Sequence, residues 1–359
     1  MITIKECAEI SHDSYGSGLY IKKTVNKNEP MTPSYTGLAR VTDVSSSMSL
    51  NNHFYAQLYI KFYDGVATDA IVAIRGTIFN DWTNDGEDVL SWISDTLGDG
   101  HHGMAPEPFT SMAQQFIWDA IHYNDEHFPH LIGIYLTGHS LGGAIAQLCL
   151  LNGAFTPQVI TFNAPGIGHL VSERRKEMAA GKIYNINARY GIINKIGQAV
   201  GKIYLIDIPQ MENEAKALFT HFDKKTFLES VTHYQQLHQQ GWLGLSGSLA
   251  GANSSGDIEF ATALAERLDS YIKAEQGLAD APTTKQQYLY CQNEHEMKHW
   301  YQLETLLKLK ACEQTSLLQD CYQIIVAQHS ITNMLNALQN QPYMGFSEQA
   351  TSALAMQHA

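Results

Sequence analysis

Positive charge is scarce in this sequence, and its scarcity excludes several kinds of partner. The 359 residues include 23 Lys and Arg against 36 Asp and Glu, which gives a formal net charge of -13. No basic run offsets the acidic excess. Such a surface repels phosphate groups, so nucleic acid is excluded as a partner and an anionic membrane is disfavoured as a purely electrostatic target.

Cysteine is also sparse, with five residues that are widely spaced: Cys7, Cys149, Cys291, Cys312 and Cys321. The odd count and the absence of a C-x-x-C pair argue against a disulfide framework and favour a reducing compartment. No apolar run is long enough to span a bilayer. The first residues lack a basic segment followed by an apolar one, so the sequence predicts a cytoplasmic location or export without a Sec signal.

The chain does contain the pattern of an α/β protein. With 44% hydrophobic residues it has enough apolar side chains to bury a core. Strands are predicted over 54–65, 67–77, 130–138, 157–166 and 181–189, and helices over 107–128 and 140–153. This alternation predicts a mostly parallel sheet covered on both faces.

The character of the sequence changes between about Met211 and Asp320, where Gln, His, Lys and Glu are frequent and the apolar residues have helical spacing. We interpret 211–320 as a helical insertion or cap, and 1–210 with 321–359 as the core. In a fold of this class, loops at the carboxyl ends of the strands surround the active site. An insertion at this place in the chain is therefore expected to border the substrate mouth.

The stretch YLTGHSLGGAIAQLCL, residues 135–150, carries the strongest chemical signal. Ser140 lies directly between a predicted buried strand and a helix that begins with small residues. A nucleophile on such a turn has a strained backbone, and glycines two residues before and after it avoid clashes with the neighbouring strand and helix. The N-terminus of the helix directs amide groups at a developing oxyanion. The alternative is a glycine-rich turn without chemistry.

These residues resemble the nucleophile elbow of the class 3 lipases, a branch of the α/β-hydrolases. The resemblance includes IVAIRGT before the elbow, VITFNAPGIG after it, and QHSITNMLNAL at 328–338. It implies an α/β-hydrolase fold with Ser140 as nucleophile and His329 as catalytic base. It also implies an oxyanion hole formed by the backbone amides of Thr77 and Leu141, and a lid near 80–100.

The acid of the expected triad is the weak point of the resemblance. Gly191 stands where the family has aspartate. Asp207, after the next strand-like run, is the nearest following carboxylate and is our candidate for the acid. Asn194 is another possible partner for the histidine, and a Ser–His dyad is a further alternative.

A competing motif is HEMKH at 295–299, which has the spacing of a zincin signature. On a helix, His295 and His299 would share a face and hold Zn²⁺. The surrounding residues are polar on nearly every side, which favours a solvated helix over a metal site.

The sequence therefore predicts a serine ester hydrolase of lipase or phospholipase type that needs no cofactor. Its substrate would be a lipid or other ester at a membrane or micelle surface, and the insertion offers a place for a protein partner. A chain of this type without a signal suits an exported bacterial effector, by analogy alone. The alternatives are a non-catalytic lipid- or protein-binding module on a decayed hydrolase fold, and a zinc metalloprotease that uses HEMKH.

Overall fold

The computed structural model describes the core of the chain. The described residues are 2–28, 34–45, 54–76, 107–131, 133–153, 157–179, 181–191, 194, 199–221, 225, 324 and 327–340. The predicted lid at 80–100 and most of the predicted insertion at 211–320 lie outside these residues.

Strands and helices alternate between residues 66 and 188, as the sequence predicts. The strands are β1 Lys23–Val25, β2 Gly37–Ser45, β3 Ala56–Tyr63, β4 Val66–Ile74, β5 Gly133–His139, β6 Gln158–Phe162, β7 Ile183–Ala188 and β8 Lys202–Ile206. The α-helices are α1 Ile4–Asp13, α2 Glu107–His127, α3 Leu141–Asn152, α4 Glu173–Ala179, α5 Glu212–His221 and α6 Ile331–Asn340. A short 3₁₀ helix spans Gly168–Leu170.

The strands form one sheet of eight described strands, in the order β1 to β8. The pairs β1–β2, β4–β5, β5–β6, β6–β7 and β7–β8 are parallel, whereas β2–β3 and β3–β4 are antiparallel. The β3–β4 hairpin turns at Asp64 and Gly65, whose φ angles are 48° and 75°. A two-residue Asp-Gly turn with positive φ matches the twist of the flanking strands, so these two residues can close the hairpin.

Helices cover both faces of this sheet. On one face, Leu136 of β5 packs in a core with Ile117 of α2 and Ile145 of α3. On the other face, the neighbouring Tyr135 packs with residues of α1 and α6. Successive residues of a strand point to opposite faces, so a strand covered on both sides must be apolar along its whole length.

Helix α1 is an element that the sequence patterns above did not predict. The Thr3 hydroxyl oxygen caps the helix by accepting a hydrogen bond from the Glu6 amide at 3.1 Å. The Glu6 carboxylate in turn accepts one from the Thr3 amide at 2.8 Å. This reciprocal capping box fixes the start of the helix. Its apolar residues include Cys7 and Ile10, both buried in the core that α1 shares with α6.

No described helix is long and apolar enough to cross a membrane.

Candidate active site

Ser140 lies at the sharp turn between β5 and α3. Its backbone has φ 56° and ψ -130°, a combination that residues other than glycine rarely adopt. The Ser140 amide donates a hydrogen bond to the Phe162 carbonyl of β6 at 2.9 Å, which holds the turn against the sheet. The side chain makes no helix-capping bond, so its hydroxyl is not committed to the start of α3.

Close packing explains the glycines around the serine. A Cβ on Gly138 would lie 2.5 Å from the Gly142 carbonyl carbon, and one on Gly142 would lie 2.1 Å from the Ile74 carbonyl oxygen. A Cβ on Gly143 would lie 2.7 Å from the Ala164 Cβ. The turn therefore requires glycine because β4, β5 and α3 meet there at backbone contact distance.

The structure brings Ser140 and His329 together. His329 Nε2 lies 2.9 Å from Ser140 Oγ, across 189 residues of sequence. The histidine is in a helical turn at 327–329, directly before α6, and is only 3% exposed. This distance is within the range in which imidazole can accept a proton from a serine hydroxyl.

One of the two predicted oxyanion donors lies within the described residues. Leu141 is the first residue of α3, so its amide is one of the N-terminal N–H groups that have no acceptor inside the helix. Thr77 lies outside the described residues, although Gly76 before it is in contact with the elbow. A Cβ on Gly76 would lie 2.5 Å from the His139 carbonyl oxygen and 3.2 Å from the Ser140 Cβ.

Asp207, the candidate acid, is placed directly after β8. Its carboxylate accepts a hydrogen bond from Arg189 Nε at 2.5 Å. The pairing follows from the sheet register, because Ala188 of β7 lies opposite Ile206 of β8 and the next residue of each strand is therefore adjacent. Among the described contacts, no hydrogen bond joins Asp207 to His329. The structure thus gives the carboxylate a different partner, and its role as the acid stays a prediction.

Gly191, where an aspartate was expected, is packed against Asn194. A Cβ at Gly191 would lie 2.4 Å from Asn194 Nδ2. That amide nitrogen donates to Asn163 Oδ1 at 2.7 Å and to the Ala188 carbonyl at 3.0 Å. Asn194 is therefore bonded to the end of β6 and to β7, and it fills the space that a longer side chain at Gly191 would need.

His139, the residue before Ser140, is buried at the centre of the site. Its Nε2 lies 2.7 Å from the His329 carbonyl oxygen, and its Nδ1 lies 2.9 Å from the Tyr15 hydroxyl. A carbonyl only accepts, so Nε2 carries the proton and donates. Burial lowers the pKa of His139 from 6.5 to about 4, although the bond to the His329 carbonyl acts in the opposite direction. The ring is therefore neutral at pH 7, and Nδ1 accepts from Tyr15.

This buried imidazole predicts a loss of stability in acid. Because the pKa of His139 is about 4 in the folded protein, against an ordinary value of 6.5, the unfolded chain binds more protons between these pH values. The free energy of unfolding should fall as pH decreases through this window, by up to about 1.4 kcal/mol per pH unit. Urea unfolding of the wild type and of His139→Gln at pH 7, 6, 5 and 4.5 measures the difference in slope.

The control for this measurement is Tyr184→Phe, since the Tyr184 hydroxyl bonds to the Gly181 carbonyl at the far end of β7 and a tyrosine carries no charge between pH 4.5 and 7. It should leave the pH slope of the wild type unchanged. A His139→Gln protein with the same slope as the wild type would show that His139 is not the group that titrates.

The competing metal motif is outside the described residues, as are His295 and His299. Within the part of the chain that the structure describes, no group of three His, Cys, Asp or Glu side chains could hold a metal ion.

The sequence did not predict the residues whose side chains bond to the main-chain carbonyl of His329. Asn163, in the FNAPG stretch after β6, has φ 47° and donates from Nδ2 to the carbonyls of Gln328 and His329 at 2.9 and 3.2 Å. The positions of His139 and Asn163 at the ends of neighbouring parallel strands were a usable signal, because the carboxyl ends of such strands meet at one edge. Tyr15 had no comparable signal.

A strained serine between a parallel strand and a helix, on a mostly parallel sheet with helices on both faces, defines the α/β-hydrolase fold. Residues 71–195, about a third of the chain, match the family model of lipase (class 3). This segment contains the elbow and the strands around it, and the resemblance drawn from the sequence is confirmed there.

Some of the solved structures with weak similarity to this chain are named as lipases. A lipase from Rhizopus microsporus var. chinensis is 16% identical, with a TM-score of 0.37 over 56% of this chain and 73% of that chain. A native Rhizomucor miehei lipase propeptide complex is 15% identical, with a TM-score of 0.34 over 56% and 67%. The structure named M37 lipase is 12% identical, with a TM-score of 0.33 over 91% and 98%.

A deletion mutant of the Rhizomucor miehei lipase propeptide complex also matches. This chain covers 66% of the length of that lipase chain, just under two thirds. No curated protein matches the chain in sequence.

Proposed function

We propose that this protein is a serine ester hydrolase of the lipase or phospholipase type, which cleaves acyl esters of lipids through an acyl-enzyme intermediate. The observation that carries the proposal is the 2.9 Å approach of His329 Nε2 to Ser140 Oγ. The serine stands on a strained turn where strand and helix pack at backbone contact distance. Strain of this kind at a non-glycine residue is typical of functional sites.

In the proposed reaction Ser140 Oγ attacks the ester carbonyl while His329 Nε2 takes the serine proton. The Leu141 amide, with that of Thr77, stabilises the negative charge that develops on the carbonyl oxygen. His329 then gives the proton to the leaving alcohol, which leaves the acyl group on Ser140. A water molecule, activated by the same imidazole, releases the acid and restores the enzyme.

The family match at 71–195 supports the choice of substrate class. We propose a lipid ester presented at a membrane or micelle surface, with the 80–100 segment as the lid. We propose that the insertion at 211–320 forms a cap and that a protein partner would bind to this insertion. The location is proposed as cytoplasmic or exported without a Sec signal.

A fluorophosphonate probe tests the proposal directly. The probe should attach covalently to the wild-type protein, and mass mapping of the digested adduct should place it on Ser140. Probe attachment at another serine, or none in folded protein, would contradict the proposed nucleophile and favour a non-catalytic binding module on this fold.

The acid can be tested by comparing both members of the ion pair. If Asp207 orients His329 during turnover, Asp207→Asn should lower kcat by about 10³–10⁴-fold with little change in KM. Arg189→Gln breaks the same ion pair but keeps the carboxylate, so it serves as the matched control. Arg189→Gln should lower kcat far less than Asp207→Asn does.

Equal and small losses in the two variants would show that Asp207 only holds β7 against β8. In that case Gly191→Asp together with Asn194→Gly would be the informative attempt to restore an acid, because Asn194 fills the space beside Gly191.

A further inference from the structure

The main-chain carbonyl of His329 is held from two sides by buried side chains. His139 Nε2 donates to it at 2.7 Å and Asn163 Nδ2 donates to it at 3.2 Å. His139 and Asn163 are 3% and 0% exposed, respectively. A carbonyl with two acceptor directions is fully used by two such donors, so the backbone from which the imidazole extends is fixed.

Both donors come from the sheet that also carries the serine. His139 is the residue before Ser140 at the end of β5, and Asn163 follows the last residue of β6. The bonds therefore position the histidine relative to the same strand ends that position Ser140 Oγ. Reacting groups need such control, because a misplacement of about 1 Å can cost about 10²-fold in rate.

Each donor is itself held by a further partner. Asn163 Oδ1 accepts from the Ala188 amide and from Asn194 Nδ2, both at 2.7 Å, so its amide group can face only one way. The Tyr15 hydroxyl bonds to His139 Nδ1 at 2.9 Å, which keeps the proton of the neutral ring on Nε2.

Tyr15 also connects this arrangement to the strand that leads to the predicted oxyanion donor. A Cβ on Gly76 would lie 2.6 Å from the Tyr15 hydroxyl oxygen. Burial raises the pKa of Tyr15 well above its ordinary value, and a backbone hydrogen bond with Gly76 acts in the opposite direction. The loop after α1 thus contacts both His139 and the residue before Thr77.

We propose that Tyr15, His139 and Asn163 are positioning residues for the reaction: they clamp the His329 carbonyl and so keep the His329 imidazole within reach of Ser140. This proposal rests on the proposed function of Ser140 and His329. It differs from a purely structural role, because it predicts a loss in turnover that exceeds any loss in stability or in substrate binding.

Substitutions at His139 separate the two roles. Gln places an N–H donor near the position of Nε2, so His139→Gln should preserve the bond to the His329 carbonyl, whereas His139→Leu removes it. We expect His139→Leu to lower kcat by about 10²-fold with KM within about twofold, and His139→Gln to recover most of that loss.

Two further variants address the other members of the clamp. Tyr15→Phe removes the hydroxyl that fixes the His139 tautomer, and Asn163→Asp keeps the shape and the acceptor but removes the donor to the carbonyl. Each should lower kcat by about tenfold or more. Tyr184→Phe is the control, because Tyr184 is a buried tyrosine whose hydroxyl bonds to the Gly181 carbonyl at the opposite end of β7. It should leave kcat unchanged.

Nuclear magnetic resonance of the ¹⁵N-labelled imidazoles tests the clamp without reference to activity. In the wild type His139 should give the signature of a neutral ring with the proton on Nε2, and Tyr15→Phe should shift the signals of both His139 and His329. Tyr184→Phe should shift neither.

The outcomes distinguish this proposal from the proposed function. If Ser140 reacts with fluorophosphonate but Tyr15→Phe, His139→Leu and Asn163→Asp react at the wild-type rate, the clamp is overturned and the hydrolase remains. If Ser140 does not react, the function fails, and unchanged His329 signals in Tyr15→Phe would overturn the clamp independently.

Discussion

Replacement of Ser140 by alanine should abolish ester hydrolysis, with a loss of roughly 10⁶-fold in kcat, because no nucleophile then remains to form the acyl-enzyme. Alanine keeps the Cβ and removes only the Oγ that lies 2.9 Å from His329 Nε2. The hydroxyl makes no helix-capping bond, so its removal should leave the fold intact. The measurement is kcat on a chromogenic acyl ester, with circular dichroism and urea unfolding to confirm the folded state.

The matched control for this experiment is Ser11→Ala. Ser11 is a buried serine of α1 whose hydroxyl bonds to Thr137 Oγ1 at 2.9 Å, on the same strand that leads to Ser140. Its loss removes a buried hydrogen bond but no reacting group, so hydrolysis should persist. Full activity in Ser140→Ala, together with loss of activity on chelation of metals, would instead favour a metalloprotease that uses HEMKH.

The elbow and the sheet around it could be predicted from the sequence because both depend on local patterns. Apolar runs of strand length define β4, β5 and β6, and the glycines at 138, 142 and 143 indicate where three elements approach too closely for a side chain. The pairing of His329 with Ser140 came from the family resemblance, since 189 residues separate them.

Helix α1 has a sequence signal of a kind that is easily overlooked. Thr3 and Glu6 have the spacing of a capping box, and the helix they begin is buried against α6. The first residues of the sequence were read for a targeting signal, which is recognised by charge and a long apolar run. Neither feature indicates a capped helix. Without α1 in the predicted fold, the contact of Tyr15 with His139 could not be anticipated.

The partner of Asp207 illustrates what sequence order alone leaves open. In the sequence, Asp207 is the nearest carboxylate after a strand-like run, which made it the candidate acid. The register of β7 against β8 then determines that Arg189, after the neighbouring strand, meets the carboxylate. Registers between parallel strands depend on packing over the whole sheet, and a motif search carries no information about them.

Replacement of Gly142 by alanine should be the most damaging change to the scaffold of the site. The added Cβ would lie 2.1 Å from the Ile74 carbonyl oxygen and 2.7 Å from the Arg75 carbonyl carbon, both of which are backbone atoms. Alanine in place of glycine inside a helix would favour folding by about 1 kcal/mol. The clash outweighs this gain, because overpacking against atoms that cannot rotate away typically costs about 1–3 kcal/mol and at times more.

We therefore expect Gly142→Ala to lose about 2 kcal/mol or more in the free energy of unfolding, measured in urea. The remaining folded protein should also have a lower kcat, since the displaced end of β4 leads through Gly76 to the predicted oxyanion donor at Thr77. Gly181→Ala is the control, because a Cβ there would have no heavy atom within 4 Å. It should change stability by no more than about 1 kcal/mol and leave turnover unaltered. A Gly142→Ala protein as stable and active as the Gly181→Ala protein would mean that β4 and α3 do not meet as closely as this site requires.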